Sequence, residues 1–184
     1  MASGQEHPAL LVIDMQEAVL AGCTDVPGVI ERINGLLGRA RRLGAPIVFI
    51  QHQDAEDPEL TAGSPGWRLV PGLDRREGDP VVAKEYRDSF AGTELGAVLA
   101  VTGVRRLVLT GAQSQYCVQT TALSALHHGY DVSLVGDAHT TSPATLPGGN
   151  LPAETIVQLV NSCFGTLSHP GRSTEIVAAA DVAL

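Results

Sequence analysis

Aromatic residues are scarce in this 184-residue chain, with one Trp, three Tyr and three Phe. Cysteine is scarce too: the count is three and odd, so no disulfide framework is encoded and at least one thiol stays unpaired. Free thiols fit a reducing compartment, and a cytoplasmic protein is expected. Cations are outnumbered, 12 Lys and Arg against 20 Asp and Glu for a net charge of −8, which argues against a nucleic-acid partner. The apolar runs at 9–13, 46–50 and 96–101 fall far short of the roughly 20 residues that span a bilayer, so no membrane partner is expected. Met1 to Pro8 lack the cationic start and apolar stretch of a leader, and Ala2 stands where N-myristoylation needs glycine. Nucleotide signals are missing as well: no Gly-x-Gly-x-x-Gly follows the first strand and no Gly-Lys-Ser/Thr loop occurs. The serine-hydrolase elbow is absent, because the corresponding turn reads Gly111-Ala112-Gln113-Ser114-Gln115. Without a Cys-x-x-Cys, a cysteine zinc site has no support.

What the chain does have is 44% hydrophobic and 17% charged residues, enough apolar mass for one domain over residues 1–184. Short apolar runs alternate with helical patterns. Ala9 to Ile13 is a continuous apolar run, as expected of a strand covered on both faces. Asp25 and Pro27 open a helix whose stripe runs Val29, Ile30, Ile33, Leu36, Leu37, Ala40 and Leu43, with Gly44 as its stop. Strands are expected at 46–50, 81–83, 106–110 and 131–135, and helices at 93–101, 117–127 and 151–164. A loop at 136–151, a short extended piece at 166–168 and a final helix around 172–180 complete the expectation. Residues 51–80 follow neither period, and so long a loop in a compact domain is usually functional. The alternation implies a Rossmann-like α/β fold, a three-layer α/β/α sandwich around a mostly parallel sheet of about six strands.

Ligands of such sheets bind beyond the carboxyl ends of the strands, which directs attention to Asp14, Gln51-His52, Lys84, the 111–117 turn and Asp137 to His139. Cys117 stands where that turn meets a helix, whose N–H groups and dipole favour a thiolate; position alone leaves it open between nucleophile and packed small residue. Cys163 lies in an apolar helix and is expected in the core, and Cys23 is expected to be an incidental loop thiol. A lone strand-end Asp14 most often caps a turn, and a lone Lys84 most often pairs in solvent with Glu85 or Asp88. Together, a carboxylate, an ammonium and a thiol after three strands of one sheet are what a thiol hydrolase needs.

These residues carry a resemblance. Leu11 to Gln16, Lys84 with Asp88 to Leu95, Gly111 to Thr121, Gly129 to Val132 and Gly136 to Ala138 are jointly similar to the isochorismatase-like cysteine hydrolases, which include nicotinamidases, N-carbamoylsarcosine amidases and streptothricin hydrolases. The resemblance implies that Cys117 attacks a carbonyl to form a thioester, that Asp14 takes and returns the proton, and that Lys84 stabilises the charges. It also implies a cis peptide at Ala112–Gln113, with the Gln113 and Cys117 N–H groups as oxyanion hole. The expected reaction is hydrolysis of an amide or related C–N bond of a small molecule, a lactam being one option. A vinyl-ether hydrolase, the activity that names the family, and a catalytically idle binding paralogue are the alternatives.

Nicotinamidases hold a metal through an Asp and two histidines after the second strand. Here that stretch reads Gln51-His52-Gln53-Asp54, the next histidine being His127, so no metal and no cofactor are expected. Gln16, His52, Trp67 and Tyr116 are the candidate substrate contacts, with His139 at the mouth. Packing or a structural hydrogen bond is the competing reading for Trp67 and for both histidines. The resemblance further implies a homodimer or homotetramer, and an apolar helix face at 152–164 is a candidate interface.

Overall fold

The computed structural model describes residues 8–184; the expectation about a leader falls on residues that lie outside the described ones. In chain order the strands are β1 (Ala9–Ile13), β2 (Ile47–His52), β3 (Val81–Lys84), β4 (Arg106–Ala112), β5 (Asp131–Thr140), β6 (Ala144–Leu146), β7 (Gly149–Leu151) and β8 (Thr174–Val177). The helices are α1 (Val26–Leu43), α2 (Leu95–Ala100), α3 (Gln119–His127) and α4 (Ala153–Gly165). Six strands form one parallel sheet in the order β3-β2-β1-β4-β5-β8, and β6 and β7 pair as a separate antiparallel hairpin.

The run Ala9 to Ile13 is buried at every position because β1 is central and covered on both faces. Leu11 and Ile13 pack into one core with Leu95, Leu99, Ala122, Leu126, Val160 and Phe164 from α2, α3 and α4. Leu10 and Val12 face the other core, with Val29, Ile33, Leu36 and Leu37 of α1. This is the three-layer sandwich that the alternating pattern implies. Helix α1 stops at Gly44, whose φ of 71° lets its N–H reach the carbonyls of Ala40 and Arg41.

Six expectations fail in whole or in part. Residues 172–180 hold no helix; Thr174–Val177 is the edge strand β8, because Ile176 and Val177 pack into opposite cores, as neighbouring strand residues do. Strand β5 does not end at Val135 but crosses a bulge and continues to Thr140, pairing His139 with Gly111 and Thr140 with Ala112. The polar Gly136-Asp137 step hides that continuation, and the rest of the expected 136–151 loop contains the β6–β7 hairpin. The helix expected at 117–127 is split into a π turn, Ser114–Val118, and α3. Residues 166–168 form no strand, and the segment 93–101 is helical only over Leu95–Ala100.

Gly111 joins the two central strands at the sheet's carboxyl edge. Its φ is 117°, and a Cβ there would lie 2.0 Å from the Ile13 carbonyl oxygen. Only glycine lets β4 run this close to β1. Gly111→Ala is therefore expected to cost about 2–5 kcal/mol in urea unfolding. Gly35→Ala, on the exposed face of α1 with open space around it, is expected to stabilise by about 0.5–1 kcal/mol.

Candidate active site

The site grows from three strand ends. Asp14 follows β1 with a φ of 49°, a left-handed conformation uncommon outside glycine and tolerated where surrounding structure enforces it. Lys84 ends β3, and because it shares a face with Val82 its side chain enters the core below α2 and α3. Lys84 Nζ lies 2.7 Å from Asp14 Oδ2, and neither side chain is exposed. The same ammonium donates to the Tyr86 carbonyl at 3.0 Å and to Cys117 Sγ at 3.2 Å. Asp14 and Cys117 are near enough for the charge of one to bear on the protonation of the other. Cys117 sits in the π turn after β4, a local widening found mostly at functional sites. The Ala112–Gln113 peptide before that turn is cis. The Gln113 side chain turns away from the thiol, donating to the Val19 carbonyl at 2.8 Å and accepting from Thr141 at 3.3 Å.

Burial governs the electrostatics. It raises the Asp14 pKa against the opposing pull of Lys84. Cys117 is pushed up to about 12 by burial and by the Asp14 charge, with Lys84 again opposing. Burial and the Asp14 charge thus work against the thiolate that a helix start favours. One cation, one negative charge and one transferable proton share the site. His52 is held below its ordinary pKa by burial and by Lys84, so its imidazole is neutral.

The candidate substrate contacts separate. Gln16 is buried and committed to backbone: Nε2 donates to the carbonyls of His52 and Trp67, both at 2.8 Å, and Oε1 accepts from the His52 N–H at 2.7 Å. It clamps the 51–80 loop to β2 and bonds neither Lys84 nor open space. His52 faces the charged cluster, with Nδ1 buried and unpartnered among the described residues. Trp67 lines a cavity of about 580 Å³ with Arg68, Arg75, Val81 and Ala83. Val81 and Ala83 alternate with Lys84, so this cavity lies on the reverse face of β3. Tyr116 is 37% exposed, with the Arg87 guanidinium 4.2 Å above its ring. His139 is buried and bonded to Ser114 and Asn161, and it lines a cavity with Thr24, Asp25, Arg32 and Asn161 that Asp14, Lys84 and Cys117 do not line.

Two thiol expectations part ways. Cys23 is a half-buried loop thiol, raised to about 11 by burial. Cys163 is exposed, because the inward stripe of α4 runs through Ile156, Val160 and Phe164 and leaves position 163 outside. Among the described residues no three His, Cys, Asp or Glu side chains gather as a metal-holding group. Sequence reasoning missed the braces of the Lys84 segment: Ser89 N–H donates to Thr121 Oγ1 at 3.1 Å and Ser124 to Asp88 at 2.9 Å. Polar residues on the inner side of α3 were their only signal.

Removing one partner of a buried ion pair strands the other charge. Lys84→Met is expected to lose about 3–5 kcal/mol in urea unfolding at pH 7, and the Asp14→Asn/Lys84→Met double variant to recover most of it. Additive losses in the double variant would contradict the pairing.

Comparison with known proteins agrees with this architecture. Residues 8–146 match the isochorismatase domain model. Streptothricin hydrolase of Streptomyces noursei is 41% identical over 136 residues, which are 72% of this chain and 49% of that protein. With a second such hydrolase matched over 54% of its length, the chain spans about half the length of these relatives. A ureidoacrylate amidohydrolase of Methylorubrum extorquens is 30% identical over 193 residues, covering 82% of this chain and 77% of its own. The crystal structure of an isochorismatase from Pseudomonas putida superimposes with a TM-score of 0.84 at 28% identity, over 96% of this chain and 90% of that one. With three quarters of its length inside the family domain and the family's fold throughout, this chain belongs to the isochorismatase family.

Proposed function

We propose that this chain is a cysteine hydrolase that cleaves an amide or related C–N bond of a small molecule through a thioester. One observation carries the reading: a single buried ammonium touches both a carboxylate and a thiol. In the first step Asp14 accepts the Sγ proton as Cys117 attacks the carbonyl carbon. The negative charge passes from Asp14 through Sγ to the carbonyl oxygen, so the buried site never gains net charge. The tetrahedral oxyanion is received by the Gln113 and Cys117 N–H groups. Its collapse breaks the C–N bond, and Asp14 returns the proton to the departing nitrogen. Water then attacks the thioester, giving one proton to Asp14 and passing it on to the leaving Sγ. The acid product and the thiol are restored without any co-reactant.

The streptothricin hydrolase relatives favour a lactam or another cyclic amide as substrate. The ureidoacrylate amidohydrolase relative favours an acyclic C–N bond, so both classes belong in the substrate panel. No helix among the described residues is long and apolar enough to cross a membrane. A reducing cytoplasmic setting is the location in which Cys117 stays usable. A homodimer or homotetramer is the assembly we favour, with Leu159, 55% exposed on α4, as its apolar contact.

Amine or ammonia release from primary amides, ureido acids and lactams is expected for the parent chain and lost at least 1,000-fold in Cys117→Ala. The logarithm of kcat/KM is expected to rise with pH until Asp14 is ionised, above the ordinary carboxylate value of about 3.9. It should then stay flat through the usual thiol value of about 8.5, because Cys117 itself is raised to about 12. An inflection near 8.5 that vanishes in a Cys117 variant would contradict the proton inventory. Turnover unchanged in Cys117→Ala would contradict the thioester route.

A further inference from the structure

His139 is the fully buried histidine among the described residues, and the proposed chemistry makes no use of it. Its ring joins two side chains: Nδ1 lies 2.7 Å from Ser114 Oγ, and Nε2 lies 2.9 Å from Asn161 Oδ1. The direction of each bond follows from Asn161. Its Nδ2 donates to the Gly136 carbonyl at 2.9 Å, so the oxygen of the amide is what faces the ring. A carbonyl oxygen only accepts, which puts the hydrogen of the imidazole on Nε2. Burial lowers the pKa of His139 and keeps the ring neutral, although the Asp137 charge pulls the other way. Nδ1 is then bare and must accept the Ser114 hydroxyl hydrogen. The chain of donors runs Ser114 to His139 to the Asn161 oxygen, and from the Asn161 nitrogen to Gly136.

Ser114 is the first residue of the π turn that carries Cys117, and the Gln119 N–H closes the turn on the Ser114 carbonyl. The continuation of β5 beyond its bulge brings His139 opposite Gly111, directly beneath that turn. Space for Asn161 is built in at Gly136: a Cβ there would lie 3.2 Å from Nδ2, 3.3 Å from Oδ1 and 2.8 Å from Ile176 Cγ2. Sheet, helix α4 and π turn are thus joined through one imidazole. Cys117 has to keep its Sγ 3.2 Å from Lys84 Nζ, and small displacements of a reacting atom carry large rate penalties.

We propose that His139, fixed by Asn161 in its Nε2–H tautomer, is a positioning residue that sets the turn bearing Cys117 through its bond with Ser114. The proposal rests on Cys117 being the nucleophile, and its test separates the two. Imidazole 15N NMR of the parent chain is expected to show His139 with a protonated Nε2 and a bare Nδ1 from pH 6 to 8. A protonated Nδ1 would overturn the proposal whatever the activity. Ser114→Ala is expected to lower kcat at least tenfold with KM within twofold, and Ser114→Thr, which keeps the hydroxyl, to restore it. An unchanged kcat in Ser114→Ala, or no rescue by threonine in a folded variant, would overturn it. If Ser114→Ala does not fold, His139→Gln, which can accept from Ser114 and donate to Asn161, is expected to retain more activity than His139→Leu, and equal losses would overturn it. Should no substrate of the panel be turned over by the parent chain, the proposed function fails, and iodoacetamide decides this inference. The ratio of Cys117 to Cys163 alkylation at pH 9 is expected to shift at least threefold in Ser114→Ala, and an unchanged ratio would overturn the positioning role.

Discussion

The buried contact of Lys84 with both Asp14 and Cys117 is the constraint around which the rest of this molecule is arranged. An ammonium in the core is tolerable only when its charge is answered at close range. Here the answer is a carboxylate at 2.7 Å, from the end of β1, which β2 separates from β3. Bringing β1, β3 and the turn after β4 to one point requires parallel strands whose carboxyl ends align, with glycine at position 111 where two backbones nearly collide. It also requires the 85–90 segment to be pinned to α3 through Ser89–Thr121 and Asp88–Ser124.

That arrangement changes what makes the thiol reactive. A helix dipole at a surface would hold a thiolate ready; a desolvated cluster with Cys117 raised to about 12 does the reverse. In the mechanism we propose, reactivity resides in Asp14, which takes the proton, and the thiolate forms only as a carbonyl is attacked. Such a site has little reason to react with stray electrophiles. Exposed Cys163 has no such protection.

The central architecture was legible in the sequence because its signals are local: the apolar runs of β1 and β2, the stripe of α1, the stop at Gly44. Asp14, Lys84 and Cys117 draw attention only as a set, since alone Asp14 reads as an ordinary cap, Lys84 as a surface lysine, and Cys117 stays open between nucleophile and packed thiol. What escaped was non-local. Asp88, a natural surface partner for Lys84, instead accepts from Ser124 and the Phe90 N–H. The outer half of β5 was hidden because its Gly136-Asp137 step interrupts the apolar pattern, and His139 with it. Strand β8 looked helical because it is half-exposed and feeds both cores. Gln16 looked like a ligand contact because its backbone partners lie 36 and 51 residues away.

The central claim is that Cys117 carries the acyl group between two half-reactions that share one proton. Intact-mass spectrometry of the chain quenched in acid during turnover of an amide or lactam tests it most directly. A mass increase equal to the acyl portion, mapped to the peptide containing Cys117 and absent in Cys117→Ala, is the expected result. Sustained turnover with no adduct on any cysteine, and with Cys117→Ala as active as its parent, would contradict it.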